Sequence, residues 1–186
     1  FASSAFAGGE AGPLNLRDLG AKFVGYTTKE ADKGSVDVAN PMFVQYMLPV
    51  NKKHQYPVVL IHGYTDNARD WVPMLPYLDK STRLILVDIR GHGLSSAPAG
   101  AYSLDMLADD LKALLDGLKI VKPHYCGLSM GGMIGQTFAL KYPGVLRTLV
   151  LADTTSRYPA EAQQLLGYIT SARGQQVLSD SNAMEY

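Results

Sequence analysis

The stretch His124-Tyr125-Cys126-Gly127-Leu128-Ser129-Met130-Gly131-Gly132 constrains this chain more than any other. A short apolar run leads into a serine flanked by glycines. A helical pattern follows at once, from Met130 to Tyr142, and Pro143 stops it. Residues Gly127 to Gly131 spell G-x-S-x-G. Between a strand and a helix, that spacing makes a turn so sharp that Ser129 stands at its apex with its hydroxyl clear of the sheet. Gly127 and Gly131 are needed where the backbone folds back on itself and a Cβ would collide. The helix start at Met130 directs N–H groups and the positive end of its dipole at any anion formed beside Ser129. Serine nucleophiles need this arrangement. The plain alternative is a glycine-rich turn, and the order of strand, motif and helix favours the first reading.

The rest of the chain supplies the matching frame. Val58-Val59-Leu60-Ile61, Arg83 to Asp88, His124 to Gly127 and Thr148 to Ala152 are continuous apolar runs, as expected of strands covered on both faces. Helical segments fall between them. Ala68 to Leu78 is interrupted by Pro73 and Pro76. In Leu104 to Leu118, one face carries Leu104, Leu107, Ala108, Leu111, Leu114, Leu115 and Leu118, with Ser103 placed to cap it and Asp105 in its first turn. Alternating buried strands and helices predict the α/β class: a mostly parallel sheet with helices on both faces. Ahead of this, Lys22 to Thr28 and Met42 to Leu48 read as the first two strands, joined by a polar turn near Asp32-Lys33-Gly34. Gly8 to Leu19 reads as loose.

Composition excludes several partners. The 186 residues carry zero formal net charge and 47% hydrophobic side chains, enough for one domain with a core. No basic run points to nucleic acid, and no apolar stretch reaches the length of a membrane span. Cys126 is the sole cysteine, so there is no internal disulfide, and its strand position predicts a buried, inert thiol. Near the start, Ala5-Phe6-Ala7 followed by Gly8-Gly9 resembles the tail of a secretory signal peptide. That implies a secreted or periplasmic protein. The alternative is an Ala/Ser-rich end on a cytoplasmic one.

Two further motifs surround the serine. Ile61-His62-Gly63-Tyr64-Thr65-Asp66-Asn67 follows the first buried strand. A turn there can aim the N–H of Tyr64 at the apex, and with the N–H of Met130 it would form an oxyanion hole. His62 is expected to support this loop. Asp88-Ile89-Arg90-Gly91-His92-Gly93-Leu94-Ser95 follows the next strand, where tight glycine turns let polar groups satisfy local backbone. His92 is set aside as a catalytic base because, where a G-x-S-x-G turn carries the nucleophile, the triad order places histidine after serine.

With these three motifs in order, the chain resembles the α/β-hydrolase superfamily over residues 36 to 157. Within it, Gly-Leu-Ser-Met-Gly-Gly and Leu151-Ala152-Asp153-Thr154-Thr155-Ser156-Arg157-Tyr158-Pro159 are similar to the 3-oxoadipate enol-lactonase and esterase group. The resemblance implies a serine hydrolase acting on small carboxylic esters or lactones, with no metal or organic cofactor. It implies Ser129 as nucleophile, Tyr64 and Met130 as oxyanion donors, and His62, Gly63, Gly127 and Gly131 as supports. One departure matters. His54, His62, His92 and His124 all precede Ser129, whereas the family histidine follows the last strand. Asp153 is a candidate for the triad acid, against the alternative of a strand-end turn residue. The resemblance therefore implies an incomplete hydrolase fold with its C-terminal strands missing. The expected division is a flexible N-terminal segment over 1–19, the N-terminal part of the core over 20–156, and the start of a lid over 157–186. The competing class is a non-catalytic, hydrolase-like small-molecule-binding protein that has lost its triad. Oligomeric state is not legible.

Overall fold

A computed structural model describes residues 16–24, 27–30, 36–39 and 41–155. The main sheet has six strands: β1 (Leu16–Val24), β4 (Met42–Pro49), β5 (Val58–Ile61), β6 (Leu84–Val87), β7 (His124–Leu128) and β8 (Thr148–Ala152). Their spatial order is β1-β4-β6-β5-β7-β8. β1 and β4 are antiparallel, as are β4 and β6, while β6, β5, β7 and β8 run parallel. A separate two-stranded antiparallel sheet, β2 (Thr27–Glu30) with β3 (Val36–Ala39), lies between β1 and β4 in sequence.

The helices divide between the two faces. α1 (Leu104–Gly117) and α2 (Met130–Lys141) cover one face, where Val59, Ile61, Ile85 and Val87 pack against Leu107, Leu111, Leu114, Ile134 and Phe138. Neighbours along each strand point the other way. Leu60, Leu84 and Leu86 meet Ala68, Leu75 and Trp71 of a 3-10 helix, Ala68–Tyr77. Covering both faces is what removes the usual polar alternation from these strands. α1 begins where expected: the Ser103 hydroxyl accepts the Met106 N–H at 3.1 Å, a cap worth about 1 kcal/mol. Its six predicted apolar positions from Leu104 to Leu115 are buried, and Leu118 sits partly buried at the C-cap.

Four expectations need correction. Leu16, Asp18 and Leu19, expected to be loose, pair with β4. The single strand at 22–28 is two strands, β1 and β2, and the expected turn at Asp32-Lys33-Gly34 lies outside the described residues. The segment at 68–77 winds as a 3-10 helix, since Pro73 and Pro76 supply no N–H and crowd the preceding turn. The apolar run of β8 is not covered on both sides. It is the last strand of the described sheet, and Val150 and Leu151 stay 51% and 43% exposed. Residues 157–186, read as the start of a lid, lie outside the described residues.

Candidate active site

The site is assembled at the carboxyl ends of the parallel strands. Ser129 sits between β7 and α2 with φ 49° and ψ −112°. A non-glycine residue there is strained by about 1–3 kcal/mol, and the surroundings must hold it. They do so from several sides. The Ser129 N–H donates to Ala152 O at 2.9 Å, continuing the β7–β8 ladder into the turn. The Ser129 carbonyl accepts from Gly132 N at 2.9 Å and from the Thr154 hydroxyl at 2.6 Å. Beneath the turn, the wholly buried Tyr125 donates its hydroxyl to the Gly131 carbonyl. The Ser129 side chain does not cap its own helix, so its hydroxyl is left out of the scaffold.

The glycines are required by contact. A Cβ on Gly127 would stand 2.3 Å from Gly131 O, and one on Gly131 would stand 2.4 Å from Ile61 O. Both obstacles are backbone, which cannot swing aside. α2 therefore lies flush on the ends of β7 and β5. The same close approach brings in the loop after β5, where a Cβ on Gly63 would be 3.4 Å from the Ser129 Cβ and 2.6 Å from Asp66 Oδ2. Burial pushes the Asp66 carboxyl up, the Asp70 charge adds to this, and the backbone hydrogen bond to Gly63 opposes it.

His62 is fully buried with both ring nitrogens engaged. Nδ1 lies 2.7 Å from Gly63 O, and Nε2 lies 3.1 Å from the Ile89 N–H. A carbonyl can only accept and an amide can only donate, so the neutral Nδ1–H tautomer is dictated. Burial depresses its pKa to about 4, with the Gly63 bond opposing. His92 is also buried, with Nδ1 3.1 Å from Arg90 O and its ring 5.2 Å from that of His62. Burial, then the His62 charge, lowers it to about 4 as well. Tyr64 packs edge-on to His92 at 6.1 Å.

The loop after β6 satisfies itself, as its polar content suggested. Asp88 is 3% exposed, and its two carboxylate oxygens accept Ala68 N–H at 2.7 Å and Leu94 N–H at 2.8 Å. The Ser95 hydroxyl donates to Asp88 O and accepts the Phe43 N–H. Arg90 clamps the loop to α1 through both oxygens of Asp110.

Of the residues singled out from sequence, Ser129, Met130, Gly127, Gly131, His62, Gly63 and Tyr64 belong to the elbow or to the loop beside it. Asp153 follows β8 in an exposed left-handed conformation with φ 44°. No histidine joins them as a base. Among the described residues none hydrogen-bonds Ser129. His54 pairs with Asp79, and His124 contacts Thr148 at 2.8 Å where β7 and β8 begin, one strand away from the elbow. Cys126 is only half-buried, contrary to expectation, because its side faces the thinly covered β7–β8 end; burial raises its thiol pKa. Among the described residues no group of three or more His, Cys, Asp or Glu could hold a metal. Sequence reasoning missed Thr154 as an anchor of the turn. No local pattern could have found it, since its partner is 25 residues away.

Comparison with known proteins identifies the fold family. A 3-oxoadipate enol-lactonase of Acinetobacter baylyi is 36% identical over 109 residues, covering 58% of this chain and 41% of that protein. A 2-(acetamidomethylene)succinate hydrolase of Mesorhizobium japonicum is 32% identical over 159 residues, covering 81% and 57%. The crystal structure of a thermophilic esterase from Thermogutta terrifontis superposes with a TM-score of 0.59 at 29% identity, covering 78% of this chain and 50% of that one. The chain thus spans 41% and 57% of the length of these two curated relatives. The family model of the alpha/beta hydrolase fold matches residues 56–180. On the parallel sheet, the strained serine turn and this match, the chain belongs to the α/β-hydrolase family.

Proposed function

We propose that this chain carries the nucleophile half of a serine hydrolase acting on carboxylic esters or lactones. The observation that carries the proposal is the Ser129 turn: a strained serine, excluded from capping, at the head of α2 and against the Gly63 loop. Ser129 Oγ would attack the acyl carbon while a base takes its proton. The N–H groups of Tyr64 and Met130 would hold the tetrahedral oxyanion. Collapse would expel the alcohol, or open the lactone ring, and leave an acyl-serine that water then releases. His62, Gly63, Gly127 and Gly131 would hold the geometry without touching substrate. The base would be a histidine outside these 186 residues, since His62 has both nitrogens committed, His92 is buried against the His62 ring with Nδ1 on Arg90 O and no hydrogen bond to Ser129, and His54 and His124 lie at the far end of the sheet. Asp153, at the end of β8, is our candidate for the acid that orients it. The Ala5-Phe6-Ala7 pattern supports export, which cell fractionation would test.

The test is fluorophosphonate labelling and aryl acetate turnover by the complete gene product, the 186-residue chain, and the Ser129→Ala form of each. We expect Ser129-dependent labelling and turnover in the complete product, and neither in the chain alone, because losing the base costs orders of magnitude in rate. Failure of a folded complete product to label would favour the other class, a binding protein that keeps the pocket without the chemistry. Turnover by the chain alone would overturn the assignment of the base.

A further inference from the structure

At the other end of the sheet a pocket forms, and the register explains it. Asp18, Gly20 and Lys22 of β1 stand opposite Leu48, Tyr46 and Val44 of β4, all on the face that α1 covers. Gly20 offers no side chain, and the Tyr46 ring lies across it, so close that a Cβ there would meet the Tyr46 hydroxyl. α1 ends at Gly117, and the chain turns through Leu118 and Ile120 towards β7. Between that turn and the sheet is left a pocket of about 230 Å³, open on one side. Its walls are Val44, Leu48, Ile85, Leu118 and Ile120.

The pocket also holds a cation that makes no ion pair among the described residues. Arg83, the residue before β6, lines it, and its Nε is buried without a hydrogen-bond partner among the described residues. Its guanidinium makes no ion pair there either. Burial lowers its pKa. A buried donor left unmatched is costly in a folded protein, and such groups normally have a partner. Lys22 adds a second positive charge at the rim, Tyr46 a hydroxyl, and Asp18 an opposing negative charge.

We propose that this pocket binds a small monocarboxylate with an apolar body, its carboxylate on Arg83 and its carbon skeleton against Leu48, Ile85, Leu118 and Ile120. The volume suits a body of about one ring or a short chain, below the usual drug-sized range. A guanidinium presents parallel donors that match a carboxylate, and the apolar walls reject ions that lack a hydrophobic part. The site is separate from Ser129, which follows β7 at the opposite end of the same sheet.

The test is titration of the purified chain, in the Ser129→Ala form, with sodium hexanoate, followed by NMR and calorimetry. Eight heavy atoms with one good ion pair should give a Kd of about 1 mM. Arg83→Met, which keeps the stem and removes the charge, should weaken binding about tenfold. Asp18→Asn, at an exposed position, should tighten it a few-fold. Hexan-1-ol and inorganic phosphate should each bind at least about tenfold more weakly than hexanoate, because each lacks one half of the recognition. Absence of saturable hexanoate binding by a folded sample overturns the proposal. So does hexanoate binding that Arg83→Met leaves unchanged while circular dichroism reports a native fold. Equal binding of phosphate would reduce the site to simple charge attraction and also refute it.

Discussion

Acid should destabilise this fold through a named group, His62. Its ring is sealed under the β5 loop in the neutral form, with the Ile89 N–H donating to Nε2. Protonation would turn that acceptor into a donor facing a donor, in a site with no water-exposed surface. The folded pKa is about 4 against an ordinary 6.5. A depressed folded pKa means that the unfolded chain takes the proton first. Stability is therefore full above about pH 6.5 and falls with pH until the folded group titrates near pH 4. The complete shift corresponds to about 3 kcal/mol, of which about 2 kcal/mol is lost between pH 6.5 and about pH 4.5. Asp88 and Asp66, whose folded pKa values are raised, act in the opposite direction. A comparison with His62→Gln removes their contribution, since Gln can still accept from Ile89 but cannot titrate. Urea unfolding of both proteins at a series of pH values measures the difference. The variant should start less stable at neutral pH and lose about 2 kcal/mol less on acidification. Parallel curves, agreeing within about 0.5 kcal/mol across the range, would refute the burial argument.

Other perturbations probe the elbow and its frame. Gly131→Ala should destabilise by more than about 2 kcal/mol, because its Cβ meets the Ile61 backbone, and a shift in urea midpoint reports it. Thr154→Val keeps the shape but removes the hydrogen bond to Ser129 O. It should cost about 1 kcal/mol, read as a shift in urea midpoint. Asp88→Asn leaves one of two buried N–H groups facing an amide and should cost about 1–3 kcal/mol in the same unfolding assay. Phe138→Ala empties a fully buried site beneath α2, and a loss of about 3–5 kcal/mol is expected by chemical denaturation.

Much of the frame was legible because it is local. The cap at Ser103, the apolar face from Leu104 to Leu115 and the four parallel strands each follow from side-chain pattern over a few residues. The errors fell where pattern is ambiguous. Thr27 and Thr28 suit a strand wherever it pairs, so nothing in sequence separates β1 from β2. Val150 and Leu151 have the same character as the covered Leu86 and Val87, yet they stand at the edge of the described sheet.

The sequence by itself determined that strands and helices alternate, that a serine follows a strand and heads a helix, and that small residues surround it. Those are consequences of periodicity and of what a glycine permits over a few bonds. Only the tertiary structure decided which groups meet across the chain. It placed the His62 ring under Ile89, the Thr154 hydroxyl on the Ser129 carbonyl, and Arg83 in a pocket with its Nε unpartnered among the described residues. Such pairings depend on strand order and on the close approach of α2 to the strand ends, which are set by how the whole core packs.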